Sequence, residues 1–435
     1  MIVSALWILG LRLENMSYLD NGLVRIGVDL SKGGAITYLS KSGGPNMVND
    51  FDLGRQIQMS YYSGPVPFEP RGKKPQESWA GLGWNPIQSG DCYGHASKTL
   101  AFKNDGRTIY LKCIPMQWPL NNEPGECTFE SWIVLRGSTV EVMNRITNRR
   151  IDLTQYSART QELPAVYTNA PWYHLMTYVG DRPYTNDKVT EIPQHPWGKD
   201  GPWTSFQATE SWAAMLDDQG WGIGVWAPET KSISGGFVGK PGFGGSSDGP
   251  TGYIAPNLNE ILDSNIRYDN HYVLILGNLP SIRRYVIEHT NVGELPSYKF
   301  SSDRQHWTYT NAEDTGWPIR GELQVKLQRP DPQLIGSNSF WSAQDGPILE
   351  VLAAFKTHQT TAQVFWSRRD APGFDQARSL TFEVTPDGRY HRYRVDLSKS
   401  PEYRGAITQI RFDPEPDGHP GDVVRVKSIR ILRGK

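Results

Sequence analysis

Apolar residues recur at every second position in many short runs of this chain, and glycine or proline closes nearly every run. In "GLVRIGVDL", Val24, Ile26, Val28 and Leu30 fall on one side while Arg25 and Asp29 fall on the other. That period of two belongs to a half-buried strand. Gly33-Gly34 follows and leads into "AITYLS", the pattern of a hairpin. The same texture returns in "TIYLKCI", "ECTFESWIVLRG", "STVEVMNRITN", "SWAAMLD", "GIGVWAP" and "NHYVLILG". Only "SIRRYVIEHTN", residues 281–291, carries a helical pattern. The expected fold class is therefore all-β, built from sandwiches rather than from alternating strands and helices.

A chain of 435 residues is long for one core, so two domains are expected. Near Glu294 the texture changes, and new strands follow in "PILEVLAAFKT", "TAQVFWS", "SLTFEVTPDGRYHRYRVDL" and "DVVRVKSIRIL". The division drawn is an ill-defined leader over 1–16, a supersandwich and catalytic domain over 17–293, a linker over 294–306, and a β-sandwich over 307–435. Pro386-Asp387-Gly388 marks a turn between two strands. The apolar phase slips between Val426 and Ile429, which predicts a bulge.

Charge and cysteine content narrow the function. With 45 basic and 46 acidic residues, the chain lacks the footprint of a phosphate-backbone binder, so no nucleic-acid partner is expected. The opening "MIVSALWILGLRLEN" is too short to span a bilayer and is broken by Arg12. It also lacks the basic start and small-residue cleavage site of a signal peptide. No membrane partner is expected. Cys92, Cys113 and Cys127 make no zinc spacing. Cys113 and Cys127 fall on neighbouring strands, where either a bridge or two buried thiols fits.

Several segments resemble galactose-mutarotase-like supersandwich domains. "LDNGLVRIGVDLSKGGAITYLS" is similar to their opening strands, and "DFDLGRQIQ" to a segment whose arginine contacts sugar, here Arg55. "YTNAPWYHL" resembles the strand carrying Thr-Asn-His, and "YIAPNLNEILDSNIRYDNHYVLILG" the end of such domains. The resemblance implies the fold but not the epimerase chemistry. Ala170 stands where the catalytic histidine follows Thr168-Asn169, and "GGFVGKPGFGGSSDGPTG" holds no glutamate. The C-terminal part, through "DGRYHRYRVDLS" and "RFDPEPDG", resembles the carbohydrate-binding jelly rolls appended to bacterial glycan-active enzymes. That context implies an extracellular or periplasmic protein, although no signal peptide is visible.

Sugars present apolar C–H faces rimmed by hydroxyls, so their sites combine flat aromatic rings with carboxylates, amides and arginines. The aperiodic loop "QESWAGLGWNPIQSGDCYGHAS" concentrates Trp79, Trp84, Asp91 and His95. Asn169, Trp172 and His174 follow in one segment, and Trp197 and Trp203 in another. Trp132, Trp212 and Trp221 lie inside alternating strands and are expected to be structural. Glycosidic cleavage takes two carboxyl groups, one protonated and one ionised. From Asp52, Asp91, Glu126, Glu130, Glu162 and Glu210, we single out Glu162 as acid, because its mostly apolar strand predicts burial. A structural ion pair with Arg159 is its competing role. Asp91 is expected as base or nucleophile. Arg55, Trp79, Trp84, His95, Asn169, Trp172, His174 and Trp203 are expected to hold the substrate.

The expected function is a glycoside hydrolase acting on an oligo- or polysaccharide. Two alternatives use the same residues: a polysaccharide lyase with a Tyr or His base and Arg55 at the enolate, and a non-catalytic glycan-binding protein. No catalytic metal or cofactor is expected. A structural calcium in the C-terminal module is conceivable through Asp413 or Asp422. Oligomeric state stays open.

Overall fold

The structure, a computed structural model, describes residues 15–195 and 201–434. Strand Val24–Asp29 returns as Ala35–Lys41 through Gly33 and Gly34, at φ 60° and 74°. A side chain on Gly33 would put its Cβ 2.3 Å from the Gln88 carbonyl, so only glycine fits there. Leu30 leaves the strand phase for a short 3-10 turn, Leu30–Lys32, capped by Asp29.

The N-terminal unit packs two large antiparallel sheets face to face. Eight strands of the ten-stranded sheet run in the order Met16–Asp20, Val24–Asp29, Ala35–Lys41, Ile57–Ser60, Arg159–Asn169, Thr251–Glu260, Ser232–Val238 and Thr204–Gln207. Pro86–Ile87 and Met116–Gln117 extend it sideways from Ile57–Ser60. The nine-stranded sheet has Arg267–Asn278 and Thr139–Asn148 at its middle. Alternation decides what goes between them: Ile26, Val28, Ile57, Val166 and Ile254 from the first sheet meet Ile109, Leu111, Ile133, Val142 and Leu274 from the second. This is the all-β supersandwich that the period of two implied.

Among the described residues, the single α-helix is Leu279–His289. It begins two residues before the expected Ser281 because Asn278 accepts from the Ser281 amide at 3.0 Å, and Pro280 opens the first turn. Ile282 and Val286, four apart, bury that helix on the nine-stranded sheet. No helix among the described residues is long and apolar enough to cross a membrane.

The C-terminal unit is a second sandwich of two six-stranded sheets around Trp307, Trp366, Phe355 and Phe412. Its turn at 386–388 joins strands Ser379–Glu383 and Tyr390–Asp396, which lie in different sheets. The predicted bulge is present. Leu352 faces Ser428 and Ala353 faces Val426, so Lys427 is the extra residue. Residues 294–306, expected as a linker, are knitted into this unit. Ser297–Lys299 pairs with the final strand Val423–Leu432, and Phe300 is buried in the core. Cys113 and Cys127 are both buried and free, so the bridge does not form.

Candidate functional site

The face of the ten-stranded sheet turned away from the core carries the first concentration of chemistry. Along Thr251–Glu260, Ile254 and Leu258 point to the core, so Tyr253, Ala255 and Asn257 point outward. Register places Tyr167 beside Tyr253, Glu162 beside Asn257, and Ser60 on the other side of Glu162. Ser234 lies beside Ala255 and beside Ser205. Pro164 brings no N–H to the ladder, and the register slips between Glu162 and Val166.

Three rings cluster on this face, with Tyr253, 2% exposed, buried between the half-exposed Tyr167 and Trp203. Tyr253 lies 4.8 Å from Tyr167 and 4.6 Å from Trp203, tilted 43° and 38°. Gly236 lets the Trp203 ring lie on the sheet, since a Cβ there would come 3.2 Å from it. Beside the rings, Asn257 Nδ2 donates to Ser234 Oγ at 2.7 Å, and Ser234 and Ser205 hydroxyls are 2.9 Å apart. Ser205 is exposed and Ser234 and Asn257 are half-buried; polar groups beside aromatic rings are the combination a sugar ring requires.

Glu162 is half-buried at the edge of the cluster. Burial pushes its carboxyl above the usual carboxylate range, opposed by hydrogen bonds from the Tyr253 and Tyr62 hydroxyls. The expected alternative, a pair with Arg159, does not form. Arg159 instead donates to the carbonyls of Leu82 at 2.8 Å and Gly81 at 3.2 Å. The phenols of Tyr62 and Tyr253 are raised well above their ordinary range, by burial first and by Glu162 next. They remain protonated donors.

Arg55 approaches the same face on the loop before Ile57–Ser60. Its Nη1 donates to the Gly249 carbonyl at 2.6 Å, its Nε lies 3.4 Å from Asp52 Oδ2, and it stacks on Phe51 at 4.7 Å. Asp52 and Arg55 both act electrostatically on Tyr167, which places them at the rim of the cluster. Trp79 is 40% exposed and meets Trp118 edge-on at 5.9 Å, while Trp118 lies against Gly54. The opening loop thus contributes Trp79 and the Gly81–Leu82 carbonyls beside Arg159.

The other expected site residues go elsewhere. Asp91 is buried, and its carboxylate organises its own loop: it accepts from the Tyr93 and His95 amides at 2.9 Å and from the Asn122 amide at 2.8 Å. His95 Nδ1 closes this set at 2.9 Å, leaving Asp91 no free lone pair for substrate. Trp84 belongs to the core, bonded to Glu126 at 3.0 Å beneath the Arg150 guanidinium. Trp172 is buried between the sheets, and Asn169 donates to the Asn46 carbonyl at 2.8 Å. His174 stands on the nine-stranded sheet. Partial burial lowers its affinity for a proton, but Glu191 at 2.7 Å and Asp218 at 3.3 Å outweigh that and raise it. Trp197 lies outside the described residues. Glu210 is held by Arg283 and the Trp212 indole, and Glu130 accepts from Tyr110 at 2.8 Å. Asp413 is paired with Arg411 and is not a free calcium ligand.

Tyr62 and Tyr253 were not singled out from the sequence. Reading "YIAPNLNE" with a period of two, Tyr253, Ala255 and Asn257 out, would have found the second of them.

A cleft of about 980 Å3 opens between the two units. Its walls include Trp226, Glu229, Lys231, Glu260 and Tyr268 from the first unit, and His306 from the second. Here the charges face each other. His306 Nδ1 is hydrogen-bonded to Glu260, and its Nε2 lies 4.0 Å from Glu229. Lys231 Nζ donates to the Thr209 carbonyl at 3.1 Å and to Ser211 Oγ at 3.2 Å. Beside the cleft, Arg304 bridges Asp314 and Asp263, each at 2.6 Å. The polar groups of the cleft fasten the units together, whereas Glu162 faces no cation among the described residues.

No family model matches the chain, and no curated protein does. Solved structures are similar to its N-terminal part. A putative aldose 1-epimerase from Escherichia coli K12 is 12% identical, over 61% of this chain and 99% of its own, with a TM-score of 0.38. A galactose mutarotase-like protein from Lactobacillus casei is 12% identical, over 60% and 99%, with a TM-score of 0.37. A 4-alpha-glucanotransferase from Thermococcus litoralis is 11% identical, over 61% of this chain and 37% of its own, with a TM-score of 0.34.

Proposed function

We propose that this chain acts on carbohydrate laid across the outer face of the ten-stranded sheet, as a glycoside hydrolase with Glu162 as its proton donor. One observation carries this reading. Glu162 is a carboxyl lifted by burial, with no cation beside it among the described residues, bonded by two tyrosine hydroxyls and next to the Tyr167–Tyr253–Trp203 cluster. A sugar laid against the half-exposed Tyr167 and Trp203 brings its glycosidic oxygen to the rim where Glu162 is held. A carboxyl whose hold on its proton is strengthened by burial suits leaving-group protonation. Asp52, exposed at the rim beside Arg55, replaces Asp91 as the ionised partner.

The lyase alternative loses its tyrosine base, because Tyr62, Tyr167 and Tyr253 all have raised pKa values rather than lowered ones. The test is incubation with a broad glycan panel, following reducing ends and ultraviolet absorbance together. New reducing ends without absorbance, lost by at least 100-fold (on the order expected for removing a general acid) in both Glu162→Gln and Asp52→Asn, are the expected result. Absorbing products would replace the hydrolase with a lyase. Turnover that survives both substitutions would overturn the assignment of the site. Binding without turnover, weakened by Trp203→Ala, would leave a glycan-binding protein.

A further inference from the structure

At one end of the C-terminal sandwich, two loops bring together side chains that no part of the proposed activity uses. His358 sits in the turn between strands Ile348–Lys356 and Thr361–Arg368. Glu415, His419 and Asp422 sit between Ala406–Asp413 and the final strand Val423–Leu432. His358 Nδ1 lies 2.6 Å from Asp422 Oδ1, and His419 Nδ1 lies 3.5 Å from Asp422 Oδ2. The ligand atoms of the three residues all fall within 4.8 Å of one another.

A histidine–aspartate pair on a surface is common, and by itself it would be a solvated ion pair. Two further observations set this group apart. Glu415 is 1% exposed, and neither of its carboxyl oxygens has a hydrogen-bond partner other than Asp422. It lies against Asp422, itself 2% exposed. A buried carboxyl whose one partner is another carboxyl is costly to hold. In addition, the Nδ1 atom of His419 is buried and makes no hydrogen bond. Glu415 and His419 Nδ1 are therefore both under-satisfied beside Asp422.

The loops that carry them are held in place. Gln359 donates to the Asp417 carbonyl at 3.0 Å, tying one loop to the other, and the Leu327 amide bonds to the Asp422 carbonyl at 3.0 Å. Gly418 packs so closely that a Cβ would come 2.2 Å from the Leu327 carbonyl. His358 and His419 remain partly open to solvent on the outer side, which gives an ion its way in.

We propose that His358, His419 and Asp422, backed by Glu415, form a binding site for a zinc-type divalent cation. Two imidazole nitrogens with carboxylate oxygens are a borderline donor set, suited to zinc and its transition-metal neighbours. Calcium takes six to eight oxygens, which this group does not supply. The ion gives Asp422 and the two imidazoles a common partner and ties the 358 turn to the start of the final strand. The calcium expectation for this module is thereby replaced at Asp422, and Asp413 takes no part.

The experiment is calorimetric titration of the full chain with zinc chloride after chelator treatment, beside thermal melts with and without zinc. One equivalent with a micromolar or tighter Kd is expected, weakened at least tenfold in His358→Ala/His419→Ala. Glu415→Gln separates the site from a fortuitous surface pair. It is expected to gain less from zinc than wild type does, whereas a fortuitous surface pair would be indifferent to it. Unchanged zinc affinity in the double histidine variant would overturn the proposal. So would wild-type protein that takes up no zinc, or that binds calcium equally tightly.

Discussion

Glu162 and Glu260 stand on adjacent strands, Arg159–Asn169 and Thr251–Glu260, yet they point to opposite faces of the sheet. On the outer face, Glu162 meets two tyrosine hydroxyls and, among the described residues, no cation, and its proton affinity rises. On the inner side, at the seam between the units, Glu260 meets His306, and here the histidine's affinity rises, to about 9. Burial opposes the charged form of both partners. What differs is the neighbour: a neutral donor leaves a carboxyl inclined to keep its proton, while a base beside it takes the proton and makes an ion pair. The same sheet thus holds a potential acid on one face and a fastening on the other.

The seam breaks most readily at Arg304. Its guanidinium spans Asp314 and Asp263, and Gln155 donates to both carboxylates at 2.8 and 3.0 Å. Burial alone would raise the Asp314 carboxyl, but its hydrogen bonds from Arg304 hold it below the ordinary range. Arg304→Met leaves two buried carboxylates without a counter-ion, and about 3–5 kcal/mol of stability should be lost. Chemical denaturation should show the loss as a lower midpoint. A change below about 1 kcal/mol, the worth of a surface pair, would mean that water reaches this cluster and that the seam is not a fastening.

His306 gives the same interface a pH dependence. Burial lowers its pKa, but Glu260, Glu229 and Asp303 outweigh that and raise it from 6.5 to about 9. A raised folded-state pKa means that the folded chain holds the proton more tightly than the unfolded chain. The contribution is therefore complete below pH 6.5 and is lost as pH climbs through about 9. Lys231, lowered to about 8 by burial, contributes with the opposite sign from about 8 upward. The comparison to make is wild type against His306→Gln, melted from pH 6 to 10. The gap between the two curves should close across this window. A constant gap would show that His306 acts through shape alone, consistent with its strained backbone at φ 60°.

How much of this could be read beforehand depended on whether the determinant was local. The strand phase, the Gly33-Gly34 hairpin, the helix near residue 281 and the bulge at Lys427 each follow from a few neighbouring residues, and all are present. The phase of Glu162 and its half-burial also follow from its own strand. Asp91 and Trp84 could not be read in that way. Asp91 looks like an accessible loop carboxylate until the Asn122 amide closes over it, and Trp84 looks like a platform ring until Arg150 and Glu126 cover it. Both covers come from distant parts of the chain. A loop rich in aromatics says that something will be covered, but not whether a sugar or the protein itself covers it.

The smallest effect on stability is the sharpest test of the outer face. Because burial raises the Glu162 carboxyl, its ionised form destabilises the folded chain at pH values above the ordinary carboxylate range. Glu162→Gln removes that ionisation while keeping an oxygen for the Tyr62 and Tyr253 hydroxyls. Melting at pH 7 to 8 should therefore be unchanged or slightly higher, and at pH 4, where the wild-type carboxyl is protonated, the two proteins should coincide. Glu260→Gln should behave oppositely, since it strips His306 of its partner and should lower the melting temperature at neutral pH. Residues held for chemistry are often poor for stability, and the opposite signs of these two substitutions would separate the face that binds from the seam that fastens. If Glu162→Gln melted lower by as much as Glu260→Gln, Glu162 would be a structural member of the tyrosine cluster, and its role as proton donor would have to be given up.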